Sequence, residues 1–337
     1  MEEKQNNQQS FIRRNAPVLI VALILVAAYF ILGAWIEGFT IGGNEYKLNK
    51  YYTLNIYLMG INIILAVSLN LVCGITGQLA LGHAGFMSVG AYVAAIFTVK
   101  LGLPFALALV AGGLAAAIMG FIIGLPTLRL KGDYLAIATL GMGEIIRVIL
   151  INIDYVGGAS GFSPIPKYTN FTWIFILTVA TIIFAKNFIT STHGRACISV
   201  REDEIAAETM GINSTRYKTM AFCFGAFFAG IAGGLYAHNF FIIQPNVFNF
   251  FKSFEYLVMV VLGGLGSLTG SIVAASGLTM VNVGLQKIPE LRMVLYSIVL
   301  IAVMLFRPGG LLGNKELTFQ FFKFKKERGG QRGTSGN

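Results

Sequence analysis

"VVLGGLGSLTGSIVAASGLTMVNVG", residues 260–284, is the run whose reading decides the fold. It carries no charge to mark a loop, so it is either one long tilted helix or two helices meeting at a glycine-rich break. A single helix would invert the orientation of everything after it. Glycine leaves helical dihedrals without steric cost, and we divide the run at its glycine-rich centre, into spans at 254–272 and 273–286.

Outward from this run, further apolar stretches fall near 53–73, 84–99, 104–125, 134–153, 171–189, 218–241 and 291–306. At the N-terminus a basic flank precedes an apolar run from Pro17 to Ile36. A secretory signal has a shorter apolar core followed by a small-residue cleavage site. At about 1.5 Å per residue this run reaches across about 30 Å of hydrocarbon, and it reads as a retained first helix. The prediction is an all-α integral membrane protein, a polytopic bundle of about ten transmembrane helices. Composition agrees: 55% of the 337 residues are hydrophobic and 12% charged, with a mean hydropathy of +0.72, more apolar than water-soluble domains of this size. The organisation that follows is a cytoplasmic segment 1–16, a membrane domain 17–306 with a polar loop at 190–217, and a basic tail 307–337 that reads as disordered and able to touch anionic lipid headgroups.

The net charge of +10 excludes a nucleic-acid partner by its distribution. The basic residues lie between apolar runs and at the two ends, not on one face with interleaved aromatics. Their placement instead sets orientation. With the N-terminus inside, Lys4, Arg13 and Arg14, then Arg129 and Lys131, then Lys186, Arg195, Arg201, Arg216 and Lys218, and the tail from Arg307 to Arg332 all fall on the cytoplasmic side. The opposite side carries Lys47, Lys50, Lys100, Lys167, Lys252, Lys287 and Arg292, and Arg147 sits in mid-span. Cys73 and Cys223 lie in apolar runs and Cys197 in the polar loop, which gives neither a disulfide framework nor a zinc site. Gly- and Ala-rich spans such as "FGAFFAGIAGGLYA" (224–237) point to close helix packing.

The polar loop contains "REDEIAAETMGINSTRYK" (201–218). Helix formers run from Glu204 to Met210 and end at Gly211, a residue suited to a left-handed helix terminus, while Asp203 or Glu202 favours the start through the helix dipole. Ala206 and Ala207, with Ile205 and Ile212, would give a low-relief face that fits a groove on a partner.

An Ala-Ala pair followed after three residues by Gly resembles the EAA loop of bacterial ABC importers, whose coupling helix docks into an ATPase subunit. The chain departs from that pattern at Ile205, the acid standing one residue earlier at Glu204, and lacks the downstream Ile-x-Leu-Pro of many importers. "GITGQLALGHAGFMSVGAYVAAI" (74–96), "LRLKGDYLAIATLGMGEIIRVI" (128–149), "HGRACISVREDEIAAETMGIN" (193–213), "MVVLGGLGSLTGSIVAA" (259–275) and "FRPGGLLG" (306–313) resemble the branched-chain amino-acid ABC transporter permeases, the M-type of the two paired subunits, in order over about 54–313. The resemblance implies a heterodimer with an H-type permease, two cytoplasmic ATPases and an extracytoplasmic solute-binding protein, in the bacterial inner membrane. It places coupling on Asp203, Glu204, Ile205, Ala206, Ala207, Gly211 and Ile212. No G-x-x-x-x-G-K-[ST] occurs in the sequence, so ATP and Mg would belong to the partner ATPases and this chain would carry no cofactor.

Polar groups at membrane depth are costly and mark candidate path residues. Glu144 and Arg147 share a helix face and either lock packing as an ion pair, line the path, or meet another subunit. Gln78 and His83 flank a glycine-dense segment that suggests broken backbone; His83 has no second ligand at metal spacing. Asn62, Ser68, Asn70, Thr139 and Asn282 read as interhelical hydrogen-bonding groups, and 154–168 either contacts the binding protein or simply connects. No set of nucleophile, base and orienter suggests an enzyme. The same architecture could serve urea, short amides or a sugar, and a secondary transporter would need no ATPase.

Overall fold

The computed structural model describes residues 49–130 and 132–284, with single positions and short stretches between 27 and 46 and between 294 and 310. The segment 1–16, Lys131, most of the expected spans 17–36 and 291–306, and nearly all of the tail lie outside the described residues. The fold below is that of the compact unit Gly33–Glu316; Met1–Leu32 and Leu317–Asn337 form a second unit.

Near the start of the unit lies a small antiparallel hairpin, β1 (Phe39–Ile41) and β2 (Asn44–Tyr46), registered Phe39 to Tyr46. Its two strands form the one sheet among the described residues of an otherwise helical chain. Between Lys50 and Gly284 the described residues form ten α-helices: α1 (Lys50–Asn70), running on into a π-helical turn at Leu71–Ile75, α2 (His83–Val99), α3 (Phe105–Thr127), α4 (Asp133–Ile151), α5 (Phe171–Thr190), α6 (Thr192–Glu202), α7 (Glu204–Thr209), α8 (Ser214–Asn239), α9 (Phe250–Gly263) and α10 (Leu268–Gly284). Asn49, Ser191, Asp203, Asn213 and Asn249 cap α1, α6, α7, α8 and α9, each side chain accepting a backbone N–H of the first turn, as short polar side chains do at helix starts.

Five described helices are long and apolar enough to cross a membrane: α1 with its π turn, α3, α4, α5 and α8; α2 and α10 are apolar but shorter. The expectation of about ten spans rests in part on 17–36 and 291–306, which lie mostly outside the described residues. The 260–284 run is broken, as its glycines suggest, but earlier than hydropathy placed the split. The turn is Gly264–Ser267, with φ of +109° at Gly264 and +88° at Gly266, and Ser267 Oγ accepts from Gly270 N at 3.1 Å to start α10. Left-handed dihedrals and a serine cap, not a change in apolarity, fix the boundary.

Helices α2, α3 and α8 pack most closely, through small residues. A side chain at Gly230 would meet Ala116 Cβ at 2.6 Å and Gly112 O at 2.7 Å, and one at Gly112 would meet Gly90 O at 2.7 Å, the close backbone approach that helices use when lipid supplies no hydrophobic drive. Helix α1 is enclosed instead: every residue from Gly60 to Ile75 is buried. At its end the π turn gives way to an irregular stretch, 76–82, before α2 begins at His83. The connector at 154–168 pairs with the one before α9, Phe162 and Ile243 exchanging backbone bonds of 2.9 and 3.2 Å.

Candidate functional site

The polar loop folds into two helices meeting at an extended Asp203, φ −154° and ψ 108°. Asp203 Oδ1 accepts from Ala206 N at 3.0 Å. Helix α7 closes with Gly211 at φ +83°, and the bonds Gly211 N to Glu208 O (2.9 Å) and Ile212 N to Ala207 O (3.0 Å) make the paired 5→2 and 6→1 closure that a left-handed glycine permits. Glu204 pairs with Lys218 Nζ at 2.6 Å and Glu208 accepts from Ser214 Oγ at 2.5 Å, tying α7 to α8. The alanine pair divides: Ala207 is buried against the bundle, whereas Ala206, Ile205 (71% exposed) and Met210 (82% exposed) face outward, with Ile212 half-buried between. Cys197 in α6 is fully buried, and that burial pushes its thiol up to about 11.

Arg201, near the end of α6, connects this pair to the bundle. Its guanidinium donates to Gly74 O at 2.7 Å and, through Nε and the other terminal nitrogen, to Glu202 Oε1 at 3.1 and 2.5 Å. Gly74 lies in the π turn that ends α1 and packs against the backbone of Gly266 in the turn between α9 and α10. Asn70 joins the same two elements, its Nδ2 donating to Ser267 O at 3.0 Å and its Oδ1 accepting from Gly266 N at 2.9 Å. One cation and one amide therefore staple α6, the end of α1 and the α9–α10 apex.

Along α1 and the α9–α10 pair, away from this staple, lies a cavity of about 820 Å³. Asn55, Leu58 and Asn62 of α1, Tyr236 of α8, residues from Phe250 to Val258 of α9, and Thr279, Asn282 and Val283 of α10 line it. Lys252 Nζ and Glu255 Oε2 are 2.9 Å apart, and Asn282 Nδ2 donates to the other Glu255 oxygen at 3.1 Å. Asn62 Nδ2 donates to Thr279 Oγ1 at 3.0 Å.

The four path candidates named from the sequence lie outside this cavity's lining. Glu144 and Arg147 pair at 2.7 Å, Arg147 donates to Asn246 Oδ1 at 3.1 Å, and Glu144 Oε1 accepts from Phe250 N at 3.0 Å, a carboxylate at the positive end of α9. They fasten α4 to the start of α9. His83 Nε2 lies 2.9 Å from Ser68 Oγ, and that hydroxyl also stands 3.0 Å from Leu65 O, which ties the start of α2 to α1. Gln78 is buried, with neither amide atom partnered among the described residues. None of these four lines the cavity. Sequence reading left Lys252 in a loop by starting the span at 254 and gave Glu255, inside that span, no role; Asn249, a helix cap, was the available signal for the earlier start.

The family described as "Branched-chain amino acid transport system / permease component" matches residues 52–304. The permease protein LivM of the high-affinity branched-chain amino acid transport system of Salmonella typhimurium is 37% identical over 287 residues, 75% of this chain and 68% of that protein, and its Escherichia coli counterpart shows the same figures. The LivH permease protein of Escherichia coli is 26% identical over 289 residues, 75% of this chain and 92% of that protein. No solved structure matches.

Proposed function

This chain belongs to the permease-component family of branched-chain amino-acid transport systems, and on that premise we propose that it is the M-type permease of a binding-protein-dependent importer carrying leucine, isoleucine or valine across the bacterial inner membrane. It pairs with an H-type permease, receives solute from an extracytoplasmic binding protein, and is driven by two separate ATPase subunits that hold ATP and Mg. The chain itself makes and breaks no bond. The distribution of Lys and Arg supports placing both termini and α6–α7 in the cytoplasm, where Ile205, Ala206 and Met210 offer an exposed helix face to a groove on an ATPase.

The observation that carries this reading is the Arg201 staple. A helix pair gripped by a soluble motor needs a firm connection to elements inside the bundle, and Arg201 bonds α6 to the π turn of α1 where that turn packs on the α9–α10 apex. Movement of α6 must carry those elements with it or break a charge-assisted bond, which is how a rigid-body shift becomes alternating access.

The test is uptake of labelled leucine into vesicles holding the chain with its partner permease, ATPases and binding protein, with and without internal ATP. Wild-type uptake requires ATP and is competed by valine and isoleucine. Ile205→Asp and Met210→Asp are expected to abolish it at unchanged membrane levels. Normal uptake in both variants rejects docking through α7; leucine flux indifferent to ATP rejects the ATPase-driven mechanism; competition by urea alone changes the substrate.

A further inference from the structure

We propose that the cavity between α1, α8, α9 and α10 is a binding site within the permease for one free amino acid, with Glu255 and Asn282 taking its α-ammonium group and Lys252 its α-carboxylate. The inference rests on the importer reading and names the place in this chain where the cargo is held.

Charge is the first argument. Lys252 and Glu255, about a quarter and a fifth exposed, form an ion pair on the wall of a cavity whose other lining residues, apolar and polar, carry no charge. Such a pair is tolerated because its charges cancel. A net-neutral zwitterion can divide the pair between its own two charged ends and leave the balance intact. A lone anion or cation would leave one partner uncompensated.

Hydrogen-bond capacity is the second. Asn282 gives an N–H to Glu255, which fixes its amide orientation and turns Oδ1 the other way. That oxygen is buried with no partner among the described residues. An unused buried acceptor beside a carboxylate suits an ammonium, which carries three donors. Lys252 Nζ lies 5.3 Å from the centre of the Tyr256 ring, which steadies the cation.

Shape is the third. About 820 Å³ falls within the roughly 300–1,000 Å³ of small-molecule sites. Leu58, Phe254, Val258 and Val283 supply an apolar wall for an aliphatic side chain, while Asn62 and Thr279 are already engaged with each other. The polar groups thus read the backbone of the amino acid, and the wall admits any aliphatic side chain.

The experiment is equilibrium binding of labelled leucine to the full permease–ATPase complex, without the solute-binding protein, in nanodiscs of phosphatidylglycerol so that no ammonium-bearing lipid headgroup competes. Valine and isoleucine should displace leucine, while leucinamide, lacking the carboxylate, and 4-methylpentanoate, lacking the ammonium, should compete at least tenfold more weakly. Lys252→Met and Glu255→Gln should each weaken binding at least tenfold, and the double exchange Lys252→Glu with Glu255→Lys should recover part of it. Equal competition by the amide and the acid, or wild-type binding and uptake in both single variants, overturns the site. The analogue series uses the unaltered protein, so misfolding of a variant cannot decide the outcome. ATP-dependent leucine uptake by a complex that fails these binding tests leaves the importer reading standing and removes only this site; absence of that uptake removes the importer reading itself.

Discussion

At the scale of the residue, Arg201 shows what a guanidinium does that an ammonium cannot. It reaches Gly74 O in one direction and Glu202 in another, a planar fork holding two partners at fixed angles. Arg201→Ala is expected to lower the stability of the α6 junction by about 1.5–3 kcal/mol, the usual worth of a charged hydrogen bond, and to cut transport far more than membrane level. Arg201→Lys should fall between, and ATPase activity measured beside uptake would show hydrolysis continuing without cargo. Little of this was legible in the sequence, where Arg201 is one more positive charge of a polar loop. Its partner is a backbone carbonyl 127 residues away, and a carbonyl carries no sequence signature. Ala206 and Ala207 make the converse case. The pair stands out in the chain, but which alanine faces outward depends on how α7 sits on α8.

At the scale of the element, the α9–α10 turn separates what hydropathy can say from what dihedrals decide. No charge interrupts 260–284, so the sequence leaves one helix or two open, and its glycines suggest a break without showing where. The break falls at 264–267 because two left-handed glycines and a capping serine coincide there. Gly266→Ala should therefore strain the backbone and press a methyl to 3.0 Å from the Arg201 guanidinium and 3.3 Å from Gly74 O. The expected cost is about 1–3 kcal/mol, read as a lower unfolding midpoint of the detergent-solubilised complex. Gly277→Ala meets nothing within 4 Å and should leave the midpoint unchanged or slightly raised. Helix α6 was missed for a different reason. Its polar composition reads as loop, and its start depends on Ser191 accepting from Gly194 N at 3.1 Å.

At the scale of the whole molecule, α1 and the α9–α10 pair join the two sites. Asn55 on the first turns of α1 lines the cavity and Gly74 beyond its end meets Arg201, a separation of about 28 Å along a helix. Asn282 and Lys252 stand at the cavity while the apex between their helices stands at the staple. If ATPase movement reaches the cavity by this route, a single cysteine at Asn282 in a background lacking Cys73, Cys197 and Cys223 should change its reaction rate with a membrane-impermeant maleimide when the ATPases are trapped with nucleotide. Adding Arg201→Ala should erase that change; a nucleotide-dependent rate that survives Arg201→Ala shows that the signal travels elsewhere. The enclosure of α1 also bears on how the protein is made. Asn62 finds Thr279, 217 residues further along the chain, and Asn70 finds Ser267, 197 residues further. At roughly 5–20 residues per second of synthesis, α1 has entered the membrane some tens of seconds before its partners exist. Its largely apolar sequence is then less a demand of the finished bundle than a condition of waiting: a helix whose second half ends up wholly enclosed by protein must first be at home in lipid, with its amides unanswered until their partners arrive.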